Sequence, residues 1–212
     1  MRVDAHGAGY YPLEVSAAEN IRSRFHKNLK RTHHLLEVFR TLHRGGERAS
    51  ELHADVVRAA VVFMHATLED LLRSTEELRL PLAPASAFER IGLMLPGADR
   101  AKERLTLVEL AQLRGQTVNE VLLRAFQKHH EQSNYNNEQD VVGALQRMAL
   151  EIRPFESYFS DLAAMMKRRH LIAHRADRNP RFPRLTNVMK IKDAERWVAT
   201  VETFGEQLLS SL

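Results

Sequence analysis

Apolar positions recur at three- and four-residue steps along most of the chain, a spacing that predicts helices rather than strands. Ile21, Phe25, Leu29, Leu35, Leu36, Phe39 and Leu42 mark a first helix over residues 17–42, stopped by Gly45-Gly46. Residues 1–15 read as a flexible N-terminal arm, and 16–212 as a single helical domain. A second, longer helix runs from Ser50 to Leu78, with Leu52, Val56, Ala60, Phe63 and Leu71 on a wide apolar face. Opposite that face lies a polar line of Arg58, His65, Glu69, Arg73 and Glu76. Its plain reading is a solvent-facing stripe with pairs such as Glu69 and Arg73 four residues apart. The alternative is that His65 and Glu69 support a chemically active helix elsewhere.

Pro81 and Pro84 end the second helix, and a less regular stretch follows to about Lys102. Two capping boxes come next. Thr106 with Glu109 opens a short helix closed by Gly115, and Thr117 with Glu120 opens one reaching about Gln132. Residues 133–137 form a turn-rich loop. Val141, Val142, Leu145, Met148 and Leu150 place a further helix that ends at Arg153-Pro154. Phe155, Tyr158, Phe159, Leu162, Met165, Met166, Ile172 and Ala173 then trace another, and Asn179 to Pro183 is a loop. Ile191 to Leu209, carrying Trp197, Val198, Val201, Phe204 and Leu208, is the last. The expected fold is an all-α bundle of five to seven helices.

Composition removes several chemistries. The 212 residues include no cysteine, so disulfides, thiolate metal sites and cysteine nucleophiles are excluded. No apolar run approaches the ~20 residues needed to span a bilayer, and the first fifteen residues lack the apolar core of a secretory signal. No membrane association and a cytoplasmic location are expected. Gly-x-Ser-x-Gly, Gly-x-Gly-x-x-Gly and phosphate-cradling Gly-rich loops are absent. Charge changes the picture more. The net charge is +4, yet Lys167 to Lys192 holds nine Lys or Arg against Asp177 alone, a local +8 that leaves −4 for the rest. An anionic ligand such as RNA would be drawn to that end of the chain.

The basic run opens on the chain's one concentrated chemical cluster, Arg169, His170 and His174. On an ideal helix Arg169 falls within roughly 20° of Leu162, near the middle of the apolar stripe, where a charge needs a partner or a wet cleft. His170 and His174, four residues apart, can bring their rings together. Arg169 and His174 lie about 140° apart and converge only through the long arginine or across a partner surface. Taken singly, each has a bland reading as a snorkelling arginine or a surface histidine. The histidine spacing also suits a helical zinc pair, but no glutamate follows His170 and no third ligand is evident.

Arg169-His170-Leu171-Ile172-Ala173-His174 resembles the Arg-polar-x-x-x-His motif of the HEPN superfamily, and Ala59 to Ser74 resembles that family's long earlier helix. From Ser50 to about Asp177 the order of elements is similar to the RiboL-PSP-like branch. The resemblance implies a HEPN-like bundle and a homodimer whose two motifs face each other. It also implies metal-independent endoribonuclease activity, of the kind found in toxin–antitoxin or phage-defence effectors, with a cognate antitoxin as a possible partner. Arg169, His170 and His174 would then be catalytic, and Lys167, Arg168, Arg175 and Arg178 would bind RNA, with His65 and Glu69 in support. Metal-free cleavage needs a base, an acid and a cation for the phosphoryl oxygens, which two histidines and an arginine supply without a cofactor. Non-catalytic binding of RNA, a nucleotide or a partner is the alternative, since the superfamily holds such members.

Overall fold

A computed structural model describes residues 11–42, 51–89, 91, 104–132, 134–182 and 184–212. Among them are seven α-helices and no strand: α1 (Tyr11–Leu42), α2 (Glu51–Arg79), α3 (Leu107–Ala111), α4 (Val118–Gln132), α5 (Glu138–Arg147), α6 (Glu156–Arg175) and α7 (Ile191–Ser210). The all-α expectation holds. α1 begins at Tyr11, inside the stretch expected to be a loose arm; residues 1–10, Gly45-Gly46 and most of the stretch before Lys102 lie outside the described residues.

Helices α1, α2, α6 and α7 pack on one another around the core. α1 contributes Phe25, Leu29 and Leu36, and α2 contributes Val57, Met64, Leu68 and Leu72. α6 adds Phe159, Leu162 and Met166, and α7 adds Val201, Phe204 and Leu208. The sets on α1, α6 and α7 repeat at the three- and four-residue steps read from the sequence, because one stripe per helix must leave water. The α2 stripe is rotated from the one expected, so that Phe63 is 38% exposed while Val57, Met64 and Leu68 are buried. Ion pairs rim this core: Arg22 to Glu206 at 2.7 Å, Arg24 to Asp70 at 2.7 Å, Arg40 to Glu195 at 2.7 Å and Arg196 to Asp161 at 2.9 Å. Three of them engage Arg22, Arg24 and Arg40 of α1, and the fourth engages Arg196 of α7. Partly exposed pairs of this kind contribute about 0–1 kcal/mol each, so they set helix register more than stability.

The shorter helices are placed by their ends. Both capping boxes form, Glu109 N donating to Thr106 Oγ1 at 3.3 Å and Glu120 N to Thr117 Oγ1 at 3.2 Å. Gly115 between them has φ +83°, the left-handed region that favours glycine. Asn137 caps α5 by accepting from Asp140 N at 3.0 Å. α5 stops at Arg147, earlier than the expected Arg153-Pro154, because Ala149 turns left-handed at φ 56° and Leu150 N closes on Leu145 O. Pro154 instead sits in a 3-10 turn, Arg153–Phe155, that runs straight into α6.

The largest departure is on α2. Its polar line is not a solvent stripe: Arg58, His65 and Glu76 are buried at 6%, 1% and 2% exposure. α2 has neighbours on both sides, with α1 and α7 against its apolar face and α4, α5 and α6 against the polar one. A hydrophilic seam therefore runs through the interior and must be satisfied from within.

Gly205, in α7, offers a direct test of the core. A Cβ there would overlap the ring of Phe25, itself buried at 1% exposure. Helix propensity favours alanine over glycine by about 1 kcal/mol, while overpacking costs about 1–3 kcal/mol. Gly205→Ala should therefore lower stability in urea denaturation; an increase would show that α1 and α7 can separate without cost.

Candidate functional site

The fully buried part of the α6 stripe ends at Met166, and in the last two turns, which carry the Arg/His cluster, Ile172 packs against the core while half-buried. The helix then closes through two left-handed residues, Ala176 at φ 48° and Asp177 at φ 54°. The N–H groups of both return to Leu171 O, that of Asp177 at 2.9 Å, a helix end more often built on glycine. This reversal drives the Asp177 side chain inward, where its exposure is 0%.

Two arginines meet the Asp177 carboxylate. Arg58 Nε donates to Oδ2 at 2.8 Å and Arg168 Nη2 to the same oxygen at 2.8 Å, while Asn187 Nδ2 donates to Oδ1 at 3.1 Å. Arg58 also reaches Asp55 Oδ1, Thr186 Oγ1 and Asn187 O at 2.8, 2.8 and 3.0 Å. Burial works against the Arg58 charge, but its bonds to Asp177 and Asp55 outweigh burial and raise its pKa, so it stays cationic. Two arginines and two aspartates leave the cluster neutral. Arg168, expected to bind RNA, is instead committed to this clamp and to the Asn187 and Val188 carbonyls at 3.3 and 3.1 Å.

With the helix end fixed, the rings of His170 and His174 stand 4.7 Å apart, tilted by 47°, and both are exposed. The expected ring contact is present. Lys167, Arg175 and Arg178 are exposed too, and among the described residues none of the three has an acidic partner within 4 Å. Arg169 turns the other way. Half-buried, it donates from Nη1 to Asn136 Oδ1 at 3.4 Å, and its Nε has no partner. Among the described residues it makes no hydrogen bond to either histidine, so one chain does not bring Arg169 and His174 together.

On its own side Arg169 meets the α2 seam. His65 donates from Nε2 to the Tyr135 carbonyl at 2.8 Å, and its Nδ1 lies 3.7 Å from Glu69 Oε2. Glu69 Oε1 accepts from Tyr135 N at 3.3 Å. Burial lowers the His65 pKa; Glu69 and the Tyr135 carbonyl oppose that, and Arg169 and Arg73 reinforce it. Burial thus favours the neutral form of His65. His65 and Glu69 do stand beside the motif arginine, through the 134–137 loop.

Further along α2, Glu76 is the hub of a second buried cluster. His130 Nε2 lies 2.8 Å from Oε2, Arg147 Nη2 donates to Oε1 at 2.8 Å, and Tyr135 OH donates to Oε1 at 3.2 Å. This ties α4, α5 and the 134–137 loop to α2. Burial lowers the His130 pKa, but its bonds to Glu76 and Glu77 outweigh that and raise it. Burial raises the Glu76 pKa, and its bonds to His130 and Arg147 bring it below the ordinary value.

Asp177, Arg58, Asn187, Asn136 and Tyr135 received no role from the sequence. The available signal was Asp177 standing as the lone acid in a run of nine cations. No group of three or more His, Asp or Glu side chains among the described residues is placed to hold a metal ion, and no described helix is long and apolar enough to cross a membrane. Set against protein-family models, curated proteins and solved structures, the chain matches none of them.

Two outcomes follow from these clusters. Asp177→Asn leaves two buried guanidiniums short of a counter-charge, and breaking a buried pair typically costs about 3–5 kcal/mol; chemical denaturation should show a loss of that order. A stabilised Asp177→Asn protein would contradict the clamp. For His130, whose pKa is raised on folding, the contribution is complete below the unfolded value near ~6.5 and fades as pH rises through the folded one. The thermal midpoint should fall across that rise, and His130→Gln should flatten the fall. Glu76, with a depressed pKa, sets the opposite limb, its contribution fading as acid carries the pH down through its folded value.

Proposed function

We propose that the protein is a metal-independent endoribonuclease of HEPN type, working in the cytoplasm as a homodimer, with an antitoxin as its natural restraint. The observation that carries this reading is the exposed His170–His174 pair. It is held 4.7 Å ring to ring on a helix end braced by buried charges, and flanked by Arg175 and Arg178 without acidic partners among the described residues. Two proton carriers beside free cations suit a phosphodiester. The 2′-hydroxyl attacks phosphorus while a histidine takes its proton. The bond to the 5′-oxygen breaks, and that oxygen is protonated by the acid. The products are a 2′,3′-cyclic phosphate and a 5′-hydroxyl. His174 is the main proton-transfer group, His170 orients or assists, and Arg169 meets the phosphoryl oxygens. Because Arg169 and His174 diverge within one chain, a second copy facing the first supplies the missing half of each site.

The divergence of Arg169 from His174 also favours a second reading, binding of RNA without cleavage. The deciding assay is purified protein with RNA in EDTA, wild type beside His174→Ala. Loss of a general acid-base group typically lowers rate ~10²- to 10⁴-fold, so His174→Ala should abolish measurable cutting while keeping fold and dimer. Arg169→Lys should keep RNA affinity better than rate, because lysine lacks the planar fork. Equal cutting by wild type and His174→Ala would remove the nuclease reading. Ultracentrifugation showing only monomer at micromolar concentration would remove the shared site.

A further inference from the structure

Beyond Asp177 the chain folds back as a short hairpin whose base joins the clamp and whose outward side chains from Arg181 to Leu185 have had no part so far. Asn179 N donates to Leu185 O at 2.8 Å, Asn187 N to Asp177 O at 2.8 Å, and Arg178 pairs with Thr186 in an antiparallel bridge. Leu185 N closes the tip on Phe182 O at 2.8 Å, and Asn179 Oδ1 accepts from the N–H groups of Arg181 and Phe182 at 2.9 and 3.0 Å. The base is pinned from the interior, with Arg58 donating to Thr186 and Asn187 and Arg168 to Asn187 and Val188. These bonds tie the described residues of the loop to one another and to the clamp.

What it holds outward is unusual for a turn. Phe182, Leu185 and Val188 are 53%, 60% and 80% exposed. Between and beside them stand Arg178, Arg181 and Arg184, all exposed and, among the described residues, without an acidic partner. Single exposed apolar residues need no explanation. An aromatic and two aliphatic side chains on one braced hairpin, interleaved with three arginines, do. The cations argue against an ordinary apolar protein surface as the occupant and for a polyanion that also has flat apolar faces. The Arg181 guanidinium lies 5.5 Å from the Phe182 ring centroid, a cation–π contact that stiffens the ring while more than half its surface remains open. An ordered aromatic beside phosphate-binding cations is the arrangement that takes unpaired bases of a single strand.

We infer that the Arg178–Val188 hairpin is a stacking arm for single-stranded RNA, in which Phe182 takes a base and Arg178, Arg181 and Arg184 take the neighbouring phosphates. This rests on the RNA reading of the preceding site and adds to it. Asp177, at the base of the arm, comes three positions after His174, so a base held on the arm and a phosphate beside the histidines belong to nearby parts of one strand. A duplex, whose bases are already stacked, gains little from the ring. The arm therefore sets a preference for unpaired RNA and for the nucleotide next to the cut.

The test uses full-length protein carrying His174→Ala, so that nothing is cut, and fluorescence anisotropy with short single-stranded oligoadenylate and an RNA duplex of equal length. Phe182→Ala should weaken single-strand binding by about 5- to 100-fold, leave duplex binding unchanged, and leave the slope of log affinity against log salt unaltered. Phe182→Trp should bind at least as tightly as phenylalanine. Arg184→Gln should instead flatten the slope by about 0.7. The ring is exposed and outside the core, so a thermal midpoint equal to the parent's confirms that binding alone has changed. If the parent binds oligoadenylate and Phe182→Ala binds equally well, the arm is overturned while the RNA reading stands. If the parent binds no RNA, both are overturned. If vesicles containing phosphatidylserine capture the parent but not Phe182→Ala, and oligoadenylate does not compete, the hairpin faces a membrane surface and the inference is wrong.

Discussion

The last two turns of α6 depend on one buried carboxylate. Asp177 has no access to water, and Arg58 and Arg168 both donate to one of its oxygens while Asn187 donates to the other. A single arginine would leave the group short of bonds, and two arginines without Asp55 would leave the pocket positive. The four charges balance, and in balancing they join the start of α2, the end of α6 and the loop before α7. The exposed histidines stand on a helix end held by this clamp and by Ile172, which still packs against the apolar core.

α2 is the other half of the same constraint. Its apolar face supplies the bundle, and its hydrophilic face carries Arg58, His65 and Glu76 inside, each meeting a different neighbour. Arg58 holds the end of α6, His65 holds the 134–137 loop next to Arg169, and Glu76 holds α4 and α5. Buried polar groups are costly if misplaced, so a seam of three admits very few relative positions of these elements. Apolar packing supplies the affinity between helices, and the seam selects the register.

The core-forming spacings of α1, α6 and α7 were legible in the sequence because each helix must bury one stripe, and periodicity reports that stripe directly. On α2, buried on two sides, the stripe was placed off its true direction, with exposed Phe63 in it. The caps at Thr106 and Thr117 were legible for a similar reason, since a helix start leaves donors that only a few residue types satisfy. The α2 polar line was misread because a pattern shows which residues share a face, and says nothing of whether that face meets water or another helix. The early end of α5 rests on Ala149 adopting a backbone shape that alanine rarely takes, which no propensity announces. At the site, the meeting of His170 and His174 is a local, four-residue relation and could be read. The capture of Arg168 depends on Asp177 turning inward and on an arginine 119 residues away in the chain from that aspartate, so it could not.

That separation has a consequence for the order of events in folding. A bond between Arg58 and Asp177 closes across 119 positions, and those to Thr186 and Asn187 close across 128 and 129. Such distant closures come after local helix formation, because the entropy of the intervening chain has to be lost first. On a ribosome, where the N-terminal part emerges first, Arg58 can pair locally with Asp55, while its bonds to Asp177, Thr186 and Asn187 wait until that part of the chain has appeared. The end of α6 is therefore assembled among the last parts of the molecule, and a truncated or nascent chain carries the Arg/His cluster on a frayed helix terminus. Order at this end of α6 is coupled to the arrival of the chain as far as Val188, a dependence on a distant segment written into a few buried bonds.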